Sequence, residues 1–160
     1  MIVVSDATPL IGLAKVGELE ILKMLFGTIL IPGSVYDEVV TDAKERPGAV
    51  QVRQAAWINV QSPVEQIKVD YLRADLDAGE AETLVLAEEL AANWILLDEA
   101  KARLAADLLG LQYIGTIGLL LLAKRLGKVL EVRPLMDELR MKKFYISDSV
   151  YELTLKQAGE

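Results

Sequence analysis

Short apolar runs alternate with longer stretches of helical periodicity along this chain. IVVSD (2–6), TILI (28–31), WINV (57–60), WILLD (94–98) and LQYI (111–114) have the length and bulk of strands. WINV reads as an edge strand and WILLD as a central one. The first helix follows Asp6, with Thr8 as its predicted N-cap and Pro9 at its first position, and Gly17 breaks it. A second helix over 18–26 ends at Gly27. Ser34 is the expected cap of a helix over 35–43, and Asp37 and Glu38 in its first turn suit the helix dipole.

The polar stretch TDAKERPG (41–48) predicts a loop, and 48–56 a helix. The mixed periodicity of 64–75 is read as a helix. Asp77 caps a strong helix over 78–91, and further helices are expected over 99–109, 115–127, 133–141 and 148–158, the last capped by Asp148. Strands alternating with helices predict an α/β fold, a mostly parallel sheet covered on both faces. In such sheets ligands gather beyond the carboxyl ends of the strands. Asp6 and Asp98 close two of the apolar runs, so they can face one crevice despite their separation in sequence.

At 160 residues and 52% apolar, the chain fits one domain, 1–160, with a sizeable core. It has no cysteine and no histidine. That removes a Ser-His-Asp triad, a Cys-His pair and any thiolate or imidazole metal site. What remains is oxygen chemistry, and gathered carboxylates bind hard cations such as Mg²⁺ or Mn²⁺. Without cysteines there is no disulfide framework, and a reducing cytoplasm is the expected compartment. MIVVSDATPL lacks the basic start of a signal peptide. Residues 108–123 are uncharged but short and broken by Gly110, Gly115 and Gly118, so no membrane span is expected.

The net charge of −7 argues at first against nucleic acid. Its distribution changes that. Residues 1–100 carry 17 acids and 7 bases, whereas 101–160 carry 7 acids and 10 bases. An acidic half beside a basic half suits a metal next to a phosphate-binding rim, and solvated helix faces explain the same pattern equally well.

Each acid has a bland explanation. Asp6 supports a turn, and Asp98 caps the next helix or pairs with Lys101. Glu38 answers the helix dipole. Glu80 completes a capping box with Asp77. Glu82 points away from Glu80 on the same helix, so one of the two faces the crevice. Together the four acids Asp6, Glu38, Glu80 and Asp98 sit at strand ends or first helical turns, where they repel one another unless a cation neutralises them. Other motifs fail. GLQYIGT (110–116) has P-loop glycine spacing but no lysine, no GxGxxG follows the first strand, and the aromatics are scattered, giving no stacking platform.

VVSDATPLIGLAKVG, ILIPGSVYDEVV, DAGEAETLVLAEEL and WILLDEAKARLAADLLGLQYIGTIGLLLLAKRLG, in that order, resemble a PIN-domain protein, of the small prokaryotic subgroup related to VapC toxins. The resemblance covers about 1–158. It implies a three-layer α/β/α sandwich and a Mg²⁺- or Mn²⁺-dependent ribonuclease. Asp6, Glu38, Glu80 and Asp98 match the family's acids, and Thr8 and Thr116 its supporting hydroxyls. Glu82 stays open as an alternative to Glu80, since many relatives carry Asp at that third position. The resemblance further implies a homodimer and, for toxin members, an antitoxin partner. The expected chemistry is hydrolysis of RNA phosphodiester bonds at metal held by the four acids, with Lys101 or Arg103 neutralising the scissile phosphate. Two readings from other classes stay beside it. One is a catalytically weak or inactive, dimeric PIN-like binding module. The other is a small-molecule phosphohydrolase using Asp6 as nucleophile, against which stands DAT in place of DxD.

Overall fold

A computed structural model describes residues 1–46 and 48–160. Among the described residues five strands form one parallel sheet: β1 (Val3–Ser5), β2 (Ile29–Ile31), β3 (Ile58–Val60), β4 (Trp94–Leu96) and β5 (Tyr113–Ile114), in the order β3-β2-β1-β4-β5. The helices are α1 (Ala7–Lys15), α2 (Glu20–Phe26), α3 (Gly33–Tyr36), α4 (Ala49–Gln54), α5 (Gln66–Leu72), α6 (Ala78–Glu89), α7 (Ala100–Leu108), α8 (Thr116–Arg125), α9 (Arg133–Met141) and α10 (Asp148–Ala158), and a π-helical turn, Asp37–Thr41, continues α3.

The central strands are apolar on both sides because both sides are covered. Val3, Ile29, Ile31 and Leu96 pack into a core with α1, α2, α8, α9 and α10. Val4, Ile95 and Leu97 pack into a second core with α5, α6 and α7. The result is the expected three-layer α/β/α sandwich. The chain builds outward from β1 through β2 to β3, then returns to the other side of β1 with β4. The switch in direction therefore lies between β1 and β4, where Val3, Val4 and Ser5 pair with Trp94, Ile95 and Leu96. Asp6 and Asp98 follow the carboxyl ends of these two strands.

Several local expectations change. Asp6, with extended backbone, is the N-cap residue of α1, so Thr8 lies inside the helix and Pro9 occupies its first turn, where no intrahelical N–H bond is lost. α3 starts at Gly33 after Pro32 rather than at a Ser34 cap, because the Ser34 N–H and hydroxyl are both taken by Glu82. Ser147, not Asp148, caps α10 by accepting from the Val150 N–H at 3.2 Å. β4 is an inner strand, but β1 is the middle one. Within the polar stretch 41–48, residues 42–45 form turns, and Pro47 lies outside the described residues. Among the described residues, no helix is long and apolar enough to cross a membrane.

Candidate active site

Asp6 is held by the sheet itself. Its backbone N–H donates to the Leu96 carbonyl at 3.0 Å, extending the β1–β4 pairing by one residue. The residue is 3% exposed, and its carboxylate does not take the usual N-cap bond from the second or third N–H of α1. Burial pushes this carboxyl up from the ordinary 3.8 to about 7. The Ala7 N–H opposes the shift, and the charges of Asp77, Glu80 and Glu38 add to it.

Glu38 reaches the same place from the π-turn. The Asp42 N–H donates to the Asp37 carbonyl at 2.7 Å, an i→i+5 bond that widens the helix here and alters the direction of its side chains. Glu38 is exposed as a residue, but its carboxylate lies against α6. Partial burial raises it, with Asp77, Glu80 and Asp42 contributing repulsion.

Gly79 explains how the two acids meet. A Cβ built on it would lie 3.3 Å from Asp6 Oδ1, 3.3 Å from Val35 Cγ2 and 3.4 Å from Glu38 Oε2. Both carboxylate oxygens therefore flank one small volume that only a residue without a side chain leaves clear. Gly79 is one residue before Glu80 and two after Asp77, in the first turn of α6.

Glu80 and Asp77 form the capping box read from the sequence. Asp77 accepts from the Glu80 N–H at 2.8 Å, and Glu80 Oε2 accepts from the Asp77 N–H at 3.0 Å. Burial raises the Glu80 carboxyl against that bond; Asp77 and Glu99 also raise it and Lys101 lowers it. Asp77 is thus both a cap and a charge in the cluster, a second role the sequence reading did not give it. Glu82 is engaged elsewhere, accepting from the Ser34 N–H at 3.2 Å and fixing the start of α3. Of the two glutamates, the charge of Glu80 bears on Asp6 and Glu38.

Asp98 is built differently. Oδ1 accepts from the Thr116 N–H at 2.8 Å, and Oδ2 from the Thr116 hydroxyl at 2.7 Å. Arg103 Nη2 stands 3.7 Å from Oδ1, while Arg103 Nε donates to the Leu97 carbonyl at 2.9 Å. Arg103, not Lys101, is thus the cation beside Asp98, and Glu99 is the N-cap of α7. Thr116 is fully buried, and Thr8 lines the same cleft as Asp98. A Cβ on Gly115 would come 2.7 Å from Asp98 Oδ1 and closer still to Arg103, so this glycine makes room for the pair.

The site has two parts: Asp6 and Glu38 around Gly79, with Asp77 and Glu80 close enough to raise them, and Asp98 anchored to α8. With the side chains as they stand, no three acids among the described residues converge closely enough to hold one ion. The donor chemistry is all oxygen, and the raised carboxyls form a charge cluster that a hard divalent cation relieves.

The DUF3368 family model, described as a PIN domain, matches residues 2–160. The chain belongs to the PIN-domain family. No curated protein matches it. PIN domains are typically nucleases, so membership supports a nuclease-type hydrolase. In this PIN domain the position of Asp6 was legible from its place at the end of an apolar run. The roles of Gly79 and Gly115 were not, because each depends on residues far away in sequence.

The raised Asp6 carboxyl gives a stability prediction. It titrates near 3.8 in the unfolded chain and near 7 in the fold, so between these values the folded state binds the extra proton. The stability this contributes is fully present below 3.8 and is lost as pH rises to about 7, at roughly 1.4 kcal/mol per pH unit. Asp6→Asn has no such loss. Its melting temperature in EDTA, relative to the parent, rises between pH 4 and about 7 and levels off above. A gap independent of pH rules out a buried, protonated Asp6.

Proposed function

We propose that this protein is a divalent-metal-dependent endoribonuclease. The observation that supports it most is the approach of Asp6 Oδ1 and Glu38 Oε2 to the space above Gly79. Asp6 and Glu38 would hold Mg²⁺ or Mn²⁺ there, and Glu80 and Asp98 would complete the set directly or through water. Glu80 uses only Oε2 in its capping bond, and each Asp98 oxygen keeps a lone pair beyond its bond to Thr116. A bound divalent ion would acidify a water so that it gives up its proton to solvent near neutral pH and attacks phosphorus as hydroxide, and would offset negative charge on the phosphate. The chain's own residues do the rest. Thr116 fixes the orientation of Asp98, and Arg103 sets a positive charge next to it. The charge of Lys101 bears on Glu80, whereas Arg103 stands 3.7 Å from Asp98 and lines the cleft, which makes Arg103 the better candidate to meet the substrate phosphate.

A VapC-like toxin role in the cytoplasm, with an antitoxin partner, belongs to the same proposal. So does a homodimer. Ile67, Tyr71, Leu104 and Leu108 are exposed along α5 and α7, and Tyr71, Leu104 and Leu108 line one shallow hollow, the face we assign to the second copy.

Three outcomes check this reading. A labelled single-stranded RNA is cut in Mn²⁺ and not in EDTA, and Asp6→Asn slows the cut on the order of a hundredfold or more. Equal cleavage by Asp6→Asn discards the assignment, and no cleavage by the folded parent in Mg²⁺ or Mn²⁺ leaves the inactive binding module. Gly79→Ala adds a methyl between the two carboxylates. It is expected to weaken Mn²⁺ binding, seen as a smaller Mn²⁺-induced rise in melting temperature, while its metal-free melting temperature stays close to the parent's because alanine favours helix by about 1 kcal/mol. Finally, Leu108→Glu converts a dimer to monomer in light scattering. If that variant and the parent have the same mass, the second copy does not sit on this face.

A further inference from the structure

The chain has nine aromatic residues, and the fold brings the adjacent Phe144 and Tyr145 to the same place as Tyr113. A cleft of about 840 Å³ opens beside Asp98 and Thr8. Tyr113, Phe144 and Tyr145 line it, together with the cations Lys15, Arg103 and Lys143. Its acids are Asp98 and Glu99. The walls come from α1, from the junction of β5 with α8, and from the connection between α9 and α10.

That connection is held firmly. Phe144 packs against α1 at Gly12, where an added Cβ would come 3.0 Å from Phe144 Cε2. The Phe144 N–H donates to the Leu139 carbonyl at 2.9 Å, and Arg140 Nη2 donates to the Ile146 carbonyl at 2.8 Å. Lys143 takes a left-handed backbone, φ 66°, a conformation that costs a non-glycine residue about 1 kcal/mol or more. Between these fixed points Tyr145 is 86% exposed, although it borders the cleft. Lys143 is exposed beside it, and no acid pairs with it among the described residues. On the opposite wall the Arg103 guanidinium lies over the Tyr113 ring, 5.4 Å from its centre, with Nη2 facing Asp98.

An exposed ring on an anchored loop, flanked by an unpaired cation and continuous with Asp98, is a poor arrangement for stability and a good one for a nucleotide. The ring offers a face for a base, the cations attract phosphate, and the volume lies within the ordinary range for a small-ligand site. A duplex keeps its base faces stacked on one another, so these rings would have nothing to meet. We infer that the cleft takes an unpaired nucleotide of the RNA substrate next to the scissile phosphate, with Tyr145 stacking on its base and Lys143 contacting its phosphate. The inference rests on the ribonuclease reading of the acid site.

The test is binding of a fluorescent oligoadenylate of about six nucleotides to the full chain, in EDTA and in Ca²⁺, read by anisotropy. Tyr145→Ala is expected to weaken binding about tenfold, and Tyr145→Phe to stay near the parent. Lys143→Ala is expected to weaken it several-fold and to reduce the salt dependence by about one ion. Binding of a blunt RNA duplex should not respond to Tyr145→Ala. Tyr145→Ala matching the parent on the oligoadenylate overturns the inference, as does an equal loss on duplex, or no binding by the parent in either condition. Cleavage in Mn²⁺ is scored separately. A parent that cuts RNA while Tyr145→Ala binds normally loses only the cleft. A parent that binds through Tyr145 and never cuts keeps the cleft and loses the nuclease.

Discussion

The Asp6 N–H bond to the Leu96 carbonyl ties together the carboxyl ends of β1 and β4, and the candidate site hangs from that junction. It lies where the sheet changes its direction of growth, so the helices that follow the two strands leave to opposite sides. The gap between them is a crevice, as in other open parallel sheets. Asp6 enters it from the end of β1. α6, α3 and the π-turn close on one side with Gly79 and Glu38, and α8 closes on the other with Thr116 and Asp98.

Electrostatics gives this junction its character. A carboxyl as buried as Asp6, with Asp77, Glu80 and Glu38 nearby, resists ionising. Several acids elsewhere have their charge answered by direct partners. Glu82 takes the Ser34 N–H and hydroxyl, and Glu160 takes Lys124 together with the backbone N–H groups of Val132 and Arg133. Asp98 is of this second kind, with two bonds from Thr116. The contrast is between acids whose charge is answered by the protein and a pair, Asp6 and Glu38, whose ionisation is opposed by burial and by the charges of neighbouring acids. That second arrangement costs stability, and a divalent cation would offset the cost.

Much of the layer plan was legible. Apolar runs too short for helices, separated by helical periodicity and glycine stops, predicted five strands and the helices between them to within two or three residues. The mixed stretch 64–75 did form a helix, since Val69 packs into the α6 core. Caps were less legible. Thr8, Ser34 and Asp148 all have capping chemistry, yet the helices begin at Ala7 directly after the end of β1, at Gly33 where Glu82 takes the Ser34 N–H and hydroxyl, and at Asp148 itself, where Ser147 is the cap. The π-turn at Glu38 has no sequence signature, as it differs from an α-helix by one shifted hydrogen bond.

By itself, the sequence determined the chemistry available: with no histidine and no cysteine, any metal or acid–base work falls to carboxylates, hydroxyls and cations. It also determined that Asp6 and Asp98 would stand at strand ends, because strand length follows from local apolar bulk. Only the tertiary structure decided which groups meet. Gly79 beside Asp6 and Glu38, Thr116 on Asp98, and Tyr113 in one cleft with Phe144 and Tyr145 are contacts between segments well separated in the chain. Such contacts depend on how helices cross the sheet, and packing over the whole domain sets that crossing.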